Sequence, residues 1–304
     1  MYAEVAVGLI LVGLSAYLLF GGADFGAGLW HLIGSRDARS REVIEHAMGP
    51  VWEANHVWLI FVMVMTWTAF PPVFADIMTA YWVPLSLAAL GIVIRGSAFV
   101  FVKTDQRDWY RWAFGLSSLL TPYALGAVAG TIATGDTHWL SLPGAYAGLL
   151  TVGLCAYLAA VYLTWDARRL TASGTETAER FRRYALGNGL VVGVLALPGA
   201  VVLGVRSPLI GLSALAGLIS LGLLWRRAYL AVRLTAALAV AAVLWGAADL
   251  SDLDLTAAAA HEAVLRVVFV ALGVGAVFLL PSLAWLYVLF QREAGSHEDR
   301  ARAG

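Results

Sequence analysis

The chain has one cysteine, Cys155, and it lies inside an apolar run. A single thiol forms no internal disulfide, and neither a CxxC pair nor a Cys/His zinc spacing occurs. Charge is also scarce: 13% of the 304 residues are charged, against roughly a quarter in ordinary soluble domains. No Walker, GxGxxG or HExxH pattern is present, which removes the usual motif grounds for a nucleotide-binding or zinc-hydrolase reading. Nothing resembles a nucleic-acid-binding patch. The first apolar run lacks a basic n-region and is too long for a signal peptide, so it is expected to stay as a span.

What the sequence has instead is apolar surface. It is 61% hydrophobic, with mean hydropathy +0.78. Apolar runs of ~20 residues mark membrane spans. Nine are predicted, at about 5–33, 50–70, 78–102, 112–134, 143–165, 184–204, 207–225, 228–248 and 263–290. The expected fold is therefore an all-α polytopic membrane protein of nine transmembrane helices.

The formal net charge is zero, but the charges are sorted. If every run spans, one side collects Arg36, Arg39, Arg41, Lys103, Arg107, Arg111, Arg168, Arg169, Arg180, Arg182, Arg183, Arg226, Arg227, Arg233 and the tail arginines Arg292, Arg300 and Arg302. The other side has Asp76, Asp136, Asp249, Asp252 and Asp254, with Arg206 its one base. The positive-inside rule then places the N-terminus outside and the C-terminus in the cytoplasm.

A short internal repeat supports a two-unit organisation. Gly13-Leu14-Ser15-Ala16-Tyr17-Leu18 matches Gly153-Leu154-Cys155-Ala156-Tyr157-Leu158, 140 residues later, in two helices of the same direction. The expected units are a four-helix bundle over 1–134, a second over 143–248, an additional transmembrane helix at 263–290 and a disordered cytoplasmic tail at 291–304. Coincidence is the competing explanation, because these residue types are common in membrane helices.

The stretch Gly49-Pro50-Val51-Trp52-Glu53-Ala54-Asn55-His56-Val57-Trp58-Leu59-Ile60 opens the second span with a carboxylate, an amide, an imidazole and two indoles. At ~100° per residue, Trp52, Glu53, Asn55 and His56 share one side of a helix. Lipid cannot satisfy that side, so it should face protein or a wet cavity. Asp24 lies ~28 Å along the first helix, at the depth of Glu53 and of Arg95 in the third. Mutual pairing would reduce their insertion cost of ~2.5–3.5 kcal/mol each.

Two readings of these groups stay open. Glu53 is either a desolvated proton carrier or half of a structural ion pair with Arg95. Asp24 is either functional or a helix-packing partner of Arg95. His56, one turn from Glu53, could extend a proton relay, ligate haem or simply be hydrogen-bonded. Most tryptophans near helix ends are expected as interfacial anchors, with Trp52 the exception because it sits beside Glu53, and Glu262 with Arg266 is expected as a local i,i+4 pair. Helices five to eight carry almost no buried ionisable residue, which suggests chemistry or conduction in the first unit and a scaffold or lipid-binding role in the second.

Gly22-Ala23-Asp24-Phe25-Gly26-Ala27-Gly28, the 49–60 stretch, and Ile94-Arg95-Gly96-Ser97-Ala98-Phe99-Val100-Phe101 together resemble subunit II of cytochrome bd quinol oxidase. The three blocks have that family's order and spacing. They cover roughly the first hundred residues, and the remainder matches in topology. The resemblance implies a respiratory protein of the prokaryotic cell membrane, paired as a heterodimer with a haem-bearing subunit I. That partner would hold haems b and d and the quinol site, with no haem and no metal in this chain and with room for a structural quinone or lipid. The complex would oxidise quinol and reduce dioxygen to water with cytoplasmic protons. By motif, Glu53, Asp24 and His56 would belong to a proton path, supported by Arg95, Trp52 and Asn55. The chain departs from the family at Gly21, where another acid is usual, at Ala54 and His56, and at Val100 and Val102, where an acid and a second arginine are common. The competing function is a proton-coupled membrane transporter using Glu53 and Asp24; the bare second half argues against it.

Overall fold

A computed structural model describes residues 2–34, 37–48, 52–104, 108–170, 174–203, 207–248 and 257–303. Within these, the side chains of 48, 52–54, 103–104, 170, 174–175, 200, 280, 283–284 and 286–303 lie outside the description. Among the described residues every regular element is helical. In chain order these are α1 (Tyr2–Ala16), a π turn (Tyr17–Gly21), α2 (Gly22–Ile33), α3 (Ala38–Met48), α4 (Trp52–Ala69), α5 (Pro71–Ala80), α6 (Trp82–Thr104), α7 (Asp108–Thr134), α8 (Leu142–Leu170), α9 (Gly174–Val202), α10 (Pro208–Trp225), α11 (Tyr229–Ala248) and α12 (Glu262–Ala303).

Seven helices are long and apolar enough to cross a membrane: Tyr2–Ile33, Trp82–Val102, Asp108–Thr134, Leu142–Arg169, Pro208–Trp225, Tyr229–Ala248 and Glu262–Leu279. The other two expected spans fall on α4, whose apolar part Asn55–Ala69 is shorter, and on the second half of α9. The chain is thus a multi-pass, all-helical membrane protein. Its outward surface is apolar, with Val93, Trp67, Trp82, Val267 and Phe278 all exposed. That is the expected surface of helices whose solvent is lipid.

Several helices run past their apolar stretches. The charged segment 166–183 is largely the end of α8 and the start of α9. Charged pairs at helical spacing explain this: Arg182 Nη2 donates to Glu179 at 2.7 Å and Arg180 reaches Glu176 at 3.8 Å. Likewise α12 continues through 291–303, where a disordered tail was expected. The loop after the first span contains α3, a helix with no long apolar run. Asp37 caps its N-terminus by accepting the Ser40 backbone N–H at 3.2 Å. At the other end of α4, Pro71 pushes Phe70 out of helical geometry (φ −137°, ψ 62°), which ends the helix and starts α5.

The most extensive packing joins α8 to α9, α6 to α7, α7 to α8, α10 to α11 and α2 to both α7 and α8. Small residues permit these approaches. At Gly26 a Cβ would overlap the Cys155 backbone carbonyl of α8, and at Gly28 the Ser118 hydroxyl of α7. Trp30 then closes the core: its Nε1 donates to the Ala156 carbonyl at 2.7 Å, and its ring stacks on Tyr184 with centroids 4.8 Å apart. The repeated hexapeptides occupy similar surroundings. A Cβ at Gly13 would meet Phe61 and Val62 of α4, and one at Gly153 would meet Val192 of α9, in each case the next long helix. Tyr17 and Tyr157 are both buried.

Candidate functional site

The first half of the chain contains a buried polar cluster assembled from four helices. Asp24 of α2, Asn55 of α4 and Arg95 of α6 are 8%, 2% and 1% exposed. Burial this complete is rare for acids and arginines unless they are partnered. The Asn55 Nδ2 amide donates to the Asp24 carboxylate. Arg95 Nη2 donates to the Asp24 backbone carbonyl at 2.9 Å, and its Nε donates to the Ser118 hydroxyl of α7 at 3.2 Å. The Ser118 hydroxyl in turn donates to the Phe114 carbonyl at 2.7 Å.

Two aromatic faces complete the guanidinium's surroundings, with its carbon 5.0 Å from the Phe25 ring centroid and 5.4 Å from that of Phe114. A desolvated cation–π contact is worth up to about 2 kcal/mol. Arg95 is therefore a cation held by hydrogen bonds and aromatic faces, near a carboxylate that accepts from a neutral amide. Such a site keeps a charge inside the protein without exposing it to lipid, and it sets a proton-accepting oxygen at membrane depth.

The helix carrying Asp24 is irregular just before it. The Gly22 N–H bonds back to the Tyr17 carbonyl, one residue further than α-helical spacing, forming a single π turn. Such turns are uncommon and concentrate at functional sites. Here it rotates Tyr17 inward, against Phe25 (ring centroids 6.3 Å) and His56 (6.4 Å). Tyr17 Oη is buried and has no hydrogen-bond partner among the described residues. A Cβ at Gly21 would sit 3.0 Å from the Tyr17 ring, so the ring takes the room that a side chain at 21 would need.

Of the residues singled out in the sequence, the structure brings Asp24, Asn55 and Arg95 together and places His56 beside Tyr17. The side chains of Trp52 and Glu53 lie outside the described residues, as do Gly49, Pro50 and Val51. Ser118, Phe25, Phe114 and Tyr17 belong to the cluster but carry no sequence signal as single residues. The one available hint was the pair Gly26 and Gly28, whose missing side chains let α7 and α8 reach α2. Glu262 and Arg266 form the expected i,i+4 pair at 3.2 Å. Among the described residues no group of three or more His, Cys, Asp or Glu side chains is arranged to hold a metal ion.

The second half of the chain has polar contacts of a different kind. Tyr157 Oη lies 2.6 Å from the Ser220 hydroxyl, Asn188 donates to the Gly153 carbonyl at 2.6 Å and Ser213 to the Ala239 carbonyl at 2.7 Å. These neutral bonds join neighbouring helices. None involves a carboxylate or a base.

Fold and cluster together define a polytopic membrane protein that buries a carboxylate and a guanidinium in its first half. The family model for cytochrome bd terminal oxidase subunit II matches residues 2–290, and the chain belongs to that family. The cytochrome bd ubiquinol oxidase subunit 2 of Bacillus subtilis (strain 168) is 30% identical over 131 residues, 42% of this chain and 39% of the relative. The cytochrome bd-I ubiquinol oxidase subunit 2 of Escherichia coli (strain K12) is 25% identical over 177 residues, 52% of this chain and 46% of the relative. The matched regions thus span less than half the length of either relative.

Proposed function

We propose that this chain is the haem-free subunit II of a bd-type quinol:dioxygen oxidoreductase, and that its first unit conducts protons used in reducing oxygen to water. The observation that carries this reading is the Asp24–Asn55–Arg95 cluster: a carboxylate and a cation kept at membrane depth, at a cost that packing alone does not require. Family membership supplies the reaction. The haem-bearing subunit I is the partner, with haems b and d and the quinol site in it, and membrane lipids or a structural quinone cover the second unit.

In this reading Glu53 and Asp24 carry the proton in turn, and His56 extends the relay. Arg95 and Asn55 hold the Asp24 segment, and Trp52 flanks Glu53. The basic loops face the cytoplasm, the N-terminus lies outside and the C-terminus inside, with nine spans once α4 and the apolar half of α9 are counted. The spans divide as 1–134, 143–248 and 263–290. The similar surroundings of Gly13 and Gly153 support two related four-helix units.

Glu53→Gln and Asp24→Asn test this reading. Each should lower oxygen consumption per assembled complex, and Glu53→Gln should do so without loss of assembly. Unaltered turnover in both would leave a purely structural subunit.

A further inference from the structure

At the arginine-rich end of the first unit, where α2 and α3 meet, there is a cavity of about 200 Å³ lined by His31, Arg41, Glu42, Glu45, Val102 and Arg111. His31 is its innermost titratable group. It is 1% exposed, yet it sits on the same helix as Asp24, seven residues or two turns further on. Its Nε2 lies 3.4 Å from the Glu45 carboxylate of α3, a side chain 31% exposed. Its Nδ1 is buried and has no hydrogen-bond partner among the described residues. A buried imidazole nitrogen left without a partner is costly and calls for a reason.

The ring position suggests one. The imidazole meets the Phe114 ring edge-on, with centroids 5.4 Å apart. The face of the same phenylalanine lies against Arg95, and its backbone carbonyl accepts the Ser118 hydroxyl that Arg95 also contacts. His31 therefore stands between the solvent-reached Glu45 and the buried cluster. Seven residues at 1.5 Å put it ~10 Å from Asp24 along the helix axis. That is about three to four hydrogen-bond lengths, a gap that the Ser118 hydroxyl and bridging water can close.

We infer that this cavity is the cytoplasmic mouth of the proton path, and that His31 relays protons from Glu45 to the Asp24–Arg95 cluster. The step is a proton transfer with no net redox change. The Glu45 carboxyl gives its proton to Nε2, Nδ1–H releases one inward, and the neutral ring returns to its starting tautomer before the next transfer. Arg41 and Arg111 flank the mouth and Glu42 adds a second surface carboxylate, so the groups facing His31 from α3 and α7 are of both signs. The inference rests on the proton-conducting reading of the cluster and adds its point of access.

The test uses the assembled oxidase, with turnover and oxygen-linked proton uptake measured in His31→Gln, His31→Ala, Glu45→Gln and, as reference, Asp24→Asn. His31→Gln keeps a polar group opposite Glu45 but cannot titrate. It should slow proton uptake on the order of tenfold or more. In His31→Ala, imidazole added to the medium should restore turnover, and methylimidazoles of equal size should restore it according to their basicity. A merely structural histidine would not produce that dependence. Glu45→Gln should slow uptake in the same direction, and being partly exposed it reports even where substitutions at 31 fail to assemble. Wild-type uptake in His31→Gln and Glu45→Gln with slow Asp24→Asn would overturn the relay and leave the cluster's role intact. Wild-type uptake in all three would overturn both. Slow His31→Gln with normal Asp24→Asn would also overturn the inference, because the relay would then not feed Asp24.

Discussion

Replacing Arg95 by methionine, a side chain of comparable length, should be among the most damaging single changes in the chain. Among the described residues Arg95 makes two charged hydrogen bonds, to the Asp24 carbonyl at 2.9 Å and to Ser118 at 3.2 Å, each worth ~1.5–3 kcal/mol. It also makes two aromatic contacts. Their loss is partly offset because the guanidinium no longer has to be desolvated. What remains is the Asp24 carboxylate, buried and accepting from the Asn55 amide. Breaking a buried pair this way costs about 3–5 kcal/mol, roughly a hundredfold or more in the folding equilibrium. Asp24→Asn should cost less, about 2–3 kcal/mol, because Phe25 and Phe114 still stabilise the guanidinium. The double variant Asp24→Asn/Arg95→Met leaves no unpaired charge. It should therefore be less damaged than the sum of its singles, by ~1.5 kcal/mol or more. Unfolding in mixed SDS–detergent micelles, monitored by intrinsic tryptophan fluorescence, gives all three differences. Losses that add to within ~0.5 kcal/mol would refute electrostatic coupling between Asp24 and Arg95.

Two further predictions concern the scaffold. Gly26→Ala places a methyl group on the Cys155 backbone carbonyl, which cannot move aside, so α2 and α8 must separate; the cost should be ~1–3 kcal/mol, seen as a loss of assembled protein, whereas Gly8→Ala, with nothing within 4 Å, should be neutral. Asp37 caps α3 and pairs with Arg180 of α9. Partial burial pushes its carboxyl up, but the Ser40 hydroxyl and the Arg180 guanidinium outweigh that and hold it below the usual carboxylate range. A folded-state value below the unfolded ~3.9 stabilises the fold fully above about pH 4 and ceases to do so as pH falls through the folded value. Asp37→Asn keeps the cap but loses the ion pair, so it should cost ~0.5–1 kcal/mol at neutral pH and flatten the acid limb of an unfolding titration. An unchanged acid limb would show that the α3–α9 contact carries no such stabilisation.

Much of the architecture was legible in the sequence because bilayer thickness fixes the length of an apolar run. The runs anticipated the long helices, and the shared depth of Asp24 and Arg95 anticipated their meeting. The helices that were missed are those to which that rule does not apply. The mixed sequence of α3 is held by its Asp37 cap and an ion pair to α9, and α5 is set by Pro71 and Pro72. The helical ends of α8 and α9 rest on charged pairs beyond the apolar zone. Within the site, Ser118 and Phe114 became visible only through packing, since a serine or phenylalanine in a membrane helix is unremarkable by composition. His31 escaped notice because its partner, Glu45, is brought to it by α3. Tyr17 escaped because nothing in its sequence announces a π turn.

The central claim, that this chain works as the haem-free partner in a bd-type oxidase, is tested most directly by purification from native membranes through a tag on this chain. A reduced-minus-oxidised spectrum of the product is then recorded. The claim predicts a co-purifying membrane protein with haem b and haem d bands. A chain that isolates alone and colourless would contradict it and favour a proton-coupled transporter instead.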